Sequence, residues 1–432
     1  MERKYDVTVF GASGYTGVFV VRELATYHSE IKWCIAGRSV EKLRKVLKEI
    51  GNEIDKNLDS VDIIQADTGD ESSLVHMCRS STVIISCVGP YRFYGEPVVK
   101  QCVLNGAHYV DVCGEPQFLE SMQLKYFEEA QKKNLYIIGS CGFDSIPSDF
   151  GIEYVRKKFD GDVLSVETYL TENREPGNSV NFATWQSAIH GLHHANELIP
   201  LRKLLSEKLF SKKMPNPEYS LKKRFYLFKS EDVNGWCIPF IGSDRSVVLR
   251  TQMYNFQFKN ERPVQVQCYM KCHSLLYALI TLLMGAIFML MTKFSMGCYL
   301  LERFPEVFSL GTFSRNPSKN RNVGGSFSVT IKAKGWREKL PDKHTSPPNK
   351  TVTAVLSSPD SGYIATAILV VNSALVVLQE KDKLPPSGGV LTPGAAFSDT
   401  SLMKRIEKRN ITINGVTYFL KDAEETKNDL YN

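Results

Sequence analysis

Short apolar runs, each followed by a stretch of helical periodicity, fill the first third of the chain. Val7-Thr8-Val9-Phe10 is apolar and β-branched, ends in a glycine-rich turn, and gives way to a helical apolar pattern over residues 18–24. The alternation returns at 32–36, 61–67, 82–88, 109–112 and 136–138, with helical stretches between. Runs without a polar face predict buried strands of a parallel sheet, and the intervening helices predict its crossovers. The expected fold is α/β: a doubly wound parallel sheet of Rossmann type over residues 1–145, completed by about 380–432. Beyond Asp149 the segments are longer and less regular. Residues 163–171, 247–254, 326–332 and 351–356 predict strands of a second, α+β domain at 146–380 with a mostly antiparallel sheet, and 362–378 predicts an apolar helix. A glycine-rich return follows at 388–394, and the charged tail from Asp422 reads as frayed.

One segment breaks this pattern. Residues 272–292 carry no charge when His273 is neutral, and twenty-one helical residues would measure about 31 Å, the thickness of a bilayer core. Candidate strands of one sheet lie on both sides of it, so a single crossing would separate them. We therefore expect monotopic attachment of 272–301 as a hairpin or in-plane insertion, with Gly285 and Gly297 permitting a bend.

Charge sharpens that picture. The net charge of +6 is concentrated in two segments: 200–229 holds nine Lys or Arg against two Glu, and 315–343 holds eight against one Glu and one Asp. The rest of the chain is acidic. Basic segments beside an apolar one suit a phospholipid monolayer or membrane surface, each cation contributing about 1 kcal/mol there. Nucleic acid is not expected, because no recognition motif accompanies them. Ten scattered cysteines without a Cys-x-x-Cys pair point to reduced thiols, and the polar start before the first strand argues against a secreted protein.

The candidate chemistry begins at Gly11-Ala12-Ser13-Gly14-Tyr15-Thr16-Gly17. Glycines between a strand and a helix let main-chain N–H groups approach a nucleotide pyrophosphate, where the helix dipole stabilises the negative charge. After the second strand, Arg38 and Ser39 stand where an NAD site usually places a carboxylate. A cation and a hydroxyl suit a 2′-phosphate, so NADP(H) is favoured over NAD(H). Asp67 ends the third strand, placed either for the adenine amino group or as a helix cap. Gly89, Pro90 and Tyr91 follow the fourth strand and should border the nicotinamide half. Tyr91 and Tyr94 are the candidate proton donors, with Asp144 beside them. Glu115, Asp144 and Ser145 are candidate substrate contacts, although Asp144 could equally cap the helix entered at Pro147.

These motifs resemble those of the saccharopine dehydrogenase-like oxidoreductases, a family related to fungal saccharopine reductase and mycobacterial trans-acting enoyl reductases. The resemblance rests on GASGYTG at 11–17, AGRS at 36–39, CVGPYRFYGEPV at 87–98, DVCGEPQFLE at 111–120, GFDSIPSD at 142–149 and TPGAAF at 392–397. It implies a Rossmann domain completed by C-terminal residues, a second domain for substrate, and lipid-droplet or membrane association. A mitochondrial association is a further alternative, and a homodimer is left open. The apolar segment and the mycobacterial members favour a lipid-like substrate; an amino-acid-derived one with saccharopine-type activity is the alternative.

Rival chemistries are less well supplied. No Tyr-x-x-x-Lys pair follows the fourth strand at a helpful distance. Cys141 lacks the Gly-Cys-Tyr setting of a thioester-forming reductase. His190, His193 and His194, with Cys268 and Cys272, lack the spacing of a metal site, so no metal is expected. A scaffold that binds cofactor without turnover is the non-enzymatic alternative.

Overall fold

In a computed structural model, residues 3–174, 178–217, 219–315, 325–341, 343–359 and 362–420 are described. Strands and helices alternate from the start: β1 (Tyr5–Phe10), α1 (Tyr15–Tyr27), β2 (Trp33–Gly37), α2 (Val40–Ile54), β3 (Ile63–Gln65), α3 (Glu71–Ser80), β4 (Ser81–Ser86), α4 (Tyr91–Asn105), β5 (His108–Asp111), α5 (Pro116–Lys132), β6 (Tyr136–Ile138) and α6 (Ile146–Phe159). Every strand pair in this sheet is parallel, and its spatial order is β3-β2-β1-β4-β5-β6. The order reverses between β1 and β4, which opens a crevice at their carboxyl ends, where ligands bind in open α/β sheets. Val7, Val9, Ile35, Val83 and Ile85 are fully buried because helices cover both faces.

The chain then builds β7 (Asp162–Arg174), β8 (Val180–Asn181), α7 (Phe182–His193), α8 (Leu198–Lys208), β9 (Phe228–Ser230), β10 (Gly235–Pro239), α9 (Asp244–Phe258) and β11 (Gln265–Cys272). Three helices follow, α10 (Leu275–Met291), α11 (Ser295–Arg303) and α12 (Pro305–Phe308), then β12 (Phe313–Ser314), β13 (Gly325–Trp336) and β14 (Lys350–Ser358). The last elements are α13 (Gly362–Gln379), β15 (Gly389–Leu391), α14 (Pro393–Phe397), α15 (Leu402–Glu407) and β16 (Thr412–Leu420). The second sheet has the order β16-β14-β13-β7-β11-β10-β9. All its pairings are antiparallel except β7 with β11, which run parallel. This is a Rossmann-like parallel sheet beside a second, mixed sheet.

The C-terminal third serves both sheets. Strand β15 extends the first one, parallel to β6, while β16 closes the edge of the second. Helix α13 packs on α1, β4 and β5. Its residues from Ala365 to Val377 are buried all round, which explains a uniformly apolar sequence without invoking a membrane. Among the described residues it is the one helix long and apolar enough to cross a bilayer, and it is a core helix. Helix α1 is clamped to the C-terminal region by a bidentate ion pair from Arg409 to Glu23, both contacts at 2.9 Å. The tail expected to fray, from Asp422, lies outside the described residues.

One expected strand is a helix. Residues 247–254 belong to α9, which buries Val247, Val248, Thr251 and Tyr254. The β-branched pair suggested a strand, yet Val247, Thr251 and Tyr254 recur at helical spacing, and that period decides. The apolar segment also differs in length from the expectation. Its helix, α10, spans 17 residues, or about 25 Å, short of a bilayer core. Only Ala278 and Phe288 of it are buried.

The core status of α13 has a measurable consequence. Leu369→Ala removes a fully buried side chain and should destabilise the protein by about 2–5 kcal/mol, read as a lower urea midpoint with unchanged slope.

Candidate cofactor and substrate cleft

The glycine turn joins β1 to α1 and is shaped by contacts that forbid side chains. Gly11 has φ +81°, and a Cβ there would fall 2.7 Å from the Val88 side chain. At Gly17 a Cβ would stand 2.3 Å from the Gly11 carbonyl oxygen. Ser13 and Gly14 face solvent. No side chain caps α1, whereas Ser39 caps α2 and Asp70 caps α3. The first helix therefore presents its N-terminal N–H groups to the crevice, and this arrangement fits a pyrophosphate.

Arg38 leaves the end of β2 exposed, and its guanidinium has no ion-pair partner among the described residues. It fits a 2′-phosphate. Ser39 is occupied as the α2 cap, accepting from Lys42 N at 3.3 Å. Asp67 is not the α3 cap; that role belongs to Asp70, and Asp67 accepts from Gly69 N at 2.9 Å. Tyr15 and Thr16 open α1, with the Tyr15 ring edge-on to Tyr363 of α13 at 4.6 Å.

Beyond β4, Gly89 is exposed, and Pro90 and Tyr91 lead into α4. Tyr91 itself is buried. Its hydroxyl donates to the Ser86 carbonyl at 2.8 Å and accepts from Val112 N at 3.3 Å. Burial, with the Asp111 charge nearby, pushes this phenol well above its ordinary range. The hydroxyl is thus committed to main chain, unlike that of Tyr94, whose side chain is 44% exposed. Glu115 is likewise committed, accepting from the Tyr91 and Arg92 N–H groups at 2.9 Å each and from the Ser187 hydroxyl at 2.7 Å. A carboxylate on the first N–H groups of α4 is an electrostatic cap that holds the expected nicotinamide loop in place.

Asp144 is set differently. It reaches solvent beside Phe143, whose ring meets Phe327 of β13 at 4.4 Å. Its Oδ2 would lie 3.0 Å from a Cβ at Gly114, so a larger residue there would displace the carboxyl. Desolvation, and next Glu172, push it up to about 6. Ser145 is buried behind it, its Oγ 3.3 Å from Ser243 Oγ. Beneath lie Asp149, which accepts from Gly394 N at 2.6 Å and is pushed by burial up to about 7, and Asp244, held by the Ser148 hydroxyl and likewise pushed up by burial.

Several neighbours of Asp144 were missed from the sequence. Asp244 opens α9, whose helical period was read as a strand. Glu172 and Arg174 end β7, joined at 2.7 and 2.9 Å, and Tyr363 lies more than 200 residues downstream of Asp144. No local pattern announces these partners. A groove of about 470 Å³ opens at the same end of the second sheet, bordered by Asn173, Phe327 and Ser358. The histidines have other employment: His190 pairs with Glu302 at 3.0 Å, His193 Nδ1 meets the Thr292 carbonyl at 2.7 Å, and His194 lies 3.4 Å from Glu197. Cys141 is buried, which pushes its thiol well up.

With this geometry in place, comparison with known proteins is decisive. Residues 7–138 match the family model described as the saccharopine dehydrogenase NADP binding domain. A human saccharopine dehydrogenase-like oxidoreductase is 41% identical over 95% of this chain and 97% of its own length. The chain belongs to the saccharopine dehydrogenase-like oxidoreductases. A Caenorhabditis elegans relative named as a lipid droplet localized protein is 36% identical over the same shares. The solved apo saccharopine dehydrogenase (L-Glu forming) of Saccharomyces cerevisiae, 14% identical, shares the fold with a TM-score of 0.53 over 96% of this chain and all of its own. The glycine turn and the free Arg38 thus lie in an NADP-binding domain of an NAD(P)-dependent oxidoreductase family.

Two outcomes follow. Arg38→Ala should weaken NADPH binding about ten- to a hundredfold in calorimetric titration, with NADH affinity little changed. Asp149 has a raised pKa, so its contribution to stability is full below the unfolded carboxyl value and is lost as pH rises through about 7. Asp149→Asn should therefore gain on the parent between about pH 4 and about pH 7, read from urea midpoints.

Proposed function

We propose that this protein transfers a hydride between NADP(H) and a substrate seated in the Asp144 cleft, working at a lipid-droplet surface or the cytoplasmic face of a membrane. The observation carrying the proposal is that Tyr363, within electrostatic reach of Asp144, sets its ring on Tyr15 of the glycine turn at 4.6 Å, so that one residue links the carboxyl to the turn. The cofactor supplies the hydride when bound, and the chain supplies position and a proton. Gly11–Gly17 main-chain amides hold the pyrophosphate and Arg38 the 2′-phosphate. Glu115 keeps the start of α4 fixed. Asp144 gives a proton to the substrate atom that gains electron density as the hydride adds to its neighbour, and takes it back in the reverse direction. Its raised pKa leaves a usable fraction in each form close to neutral pH.

The lipid-surface half of the proposal is supported by α10 to α12, which expose Leu276, Leu283, Leu290, Phe294, Met296, Tyr299 and Val307 together, a patch of a kind that marks an interaction surface. It is supported also by the name of the nematode relative. The basic segments contribute less than their charge suggests, because Arg202 pairs with Glu120, Arg224 with Glu167 and Lys332 with Asp232.

A second substrate class has support of its own. The relatives' names and the full-length likeness to the yeast enzyme point more directly to saccharopine-type chemistry, on an amino-acid-derived substrate, than to a lipid. NADPH oxidation with a lipid extract, set beside NADP⁺ reduction with saccharopine, separates the two. In whichever reaction runs, Asp144→Asn should lower kcat about 10²–10⁴-fold and abolish a pH dependence centred near 6, with NADPH affinity unchanged. NADPH binding without turnover in either assay would overturn the proposal and leave a cofactor-binding scaffold.

A further inference from the structure

Strands β7 and β11 run side by side in the same direction, with Leu170 opposite Met270. Both therefore deliver their carboxyl ends to one edge of the second sheet. Glu172 and Arg174 emerge from one, and Ser274–Tyr277, the first turn of α10, from the other. On the far side of β7, Phe327 opposes Glu172 and its ring meets Phe143 at 4.4 Å, which brings Asp144 to the same edge. The Tyr277 hydroxyl lies within electrostatic reach of Arg174, as does that of Tyr363. Helix α10 thus begins at the cleft.

From that point an apolar stripe runs the length of the helix. Leu276, Ile280, Leu283, Ile287 and Leu290 recur every three or four residues, so they align on one side, and each is exposed. The opposite side is held down by Ala278 on Ile238 and Cys272 of the sheet, and by Phe288 on Trp185 at 4.6 Å. Exposed Lys293 stands just past the far end, without an ion-pair partner among the described residues. The stripe, about 21 Å from Leu276 to Leu290, starts at the polar edge, so a molecule with one polar head and one apolar chain can lie along it head first.

We propose that the first turn of α10 is the lip over which a single-chain amphiphile leaves a phospholipid surface for the cleft, its uncharged polar head reaching the Glu172–Arg174 pair and its chain lying along the α10 stripe. The proposal rests on the lipid-surface reading above and names its substrate class. The head is uncharged because Glu172 already neutralises Arg174 with two contacts, so an anionic head would have to displace it. Tyr277, 47% exposed at the junction, presents a ring to the chain and a hydroxyl to the head.

The test is photolabelling of the full chain on phosphatidylcholine vesicles doped with a long-chain alcohol bearing a diazirine. The expected labels fall on α10 and on peptides holding Phe143–Asp144 or Glu172–Arg174. In Tyr277→Arg, which leaves the stripe intact but sets a charge at the lip, α10 labelling should persist while cleft labelling falls about tenfold. NADPH titration confirms that the variant is folded. Labels confined to α10 in the parent, or cleft labelling unchanged in the variant, would overturn the proposal. Labelling needs no turnover, so an inert protein that labels in its cleft counts against hydride transfer and not against this route.

Discussion

Everything at the cofactor end depends on how closely the start of α1 approaches the end of β1. The Gly17 backbone packs against the Gly11 carbonyl and Ala12 with no space for a methyl group, and Gly11 adopts a left-handed conformation against Val88. Were either position to carry a side chain, the helix would retreat and its N–H groups would no longer converge over the carboxyl edge of the sheet. The cradle is therefore a packing property first and an electrostatic one second. Tyr363 makes it part of the larger structure by bringing α13 onto the same turn.

The edge where the two sheets meet follows a different economy. Carboxylates gather near it, among them Asp111, Glu115, Asp144, Asp149 and Asp244. Burying a charge is costly unless hydrogen bonds or a counter-charge offset it. Glu115 remains tied to two N–H groups and a hydroxyl, while Asp149 and Asp244 move toward the neutral acid. Asp144 alone among these five reaches solvent. Fully buried Arg250, whose Nη1 donates to Gln123 at 3.3 Å, tempers the negative field from α9.

The apolar insertion shows how composition and packing part company. Helices α10 and α13 are both strongly apolar, the first rich in Leu and Met and the second in Val, Ala and Leu, yet one is largely uncovered and the other is the centre of the core. Their neighbours, not their own residues, make the difference. Helix α13 is enclosed by α1 and two strands, whereas α10 rests one edge on β10 and β11.

The parallel sheet was legible in the chain because strands buried on both faces are continuous apolar runs, and because a glycine turn between strand and helix has few other uses. The glycine turn from Gly11 to Gly17 and the exposed Arg38 after β2 were legible for the same reason: their placement is local, set by main-chain geometry within a few positions. The family motifs extended that legibility to the Asp144 loop. What the chain could not disclose were the non-local partners. Helix α9 looked like a strand until its buried side could be seen. Glu172, Arg174, Asp244 and Tyr363 meet Asp144 only after two sheets and a returning C-terminal helix have docked. Tyr91 and Glu115 looked chemical, yet folding commits them to main-chain hydrogen bonds. Short-range sterics write themselves into sequence, whereas desolvation and contact between distant segments exist only in the assembled fold.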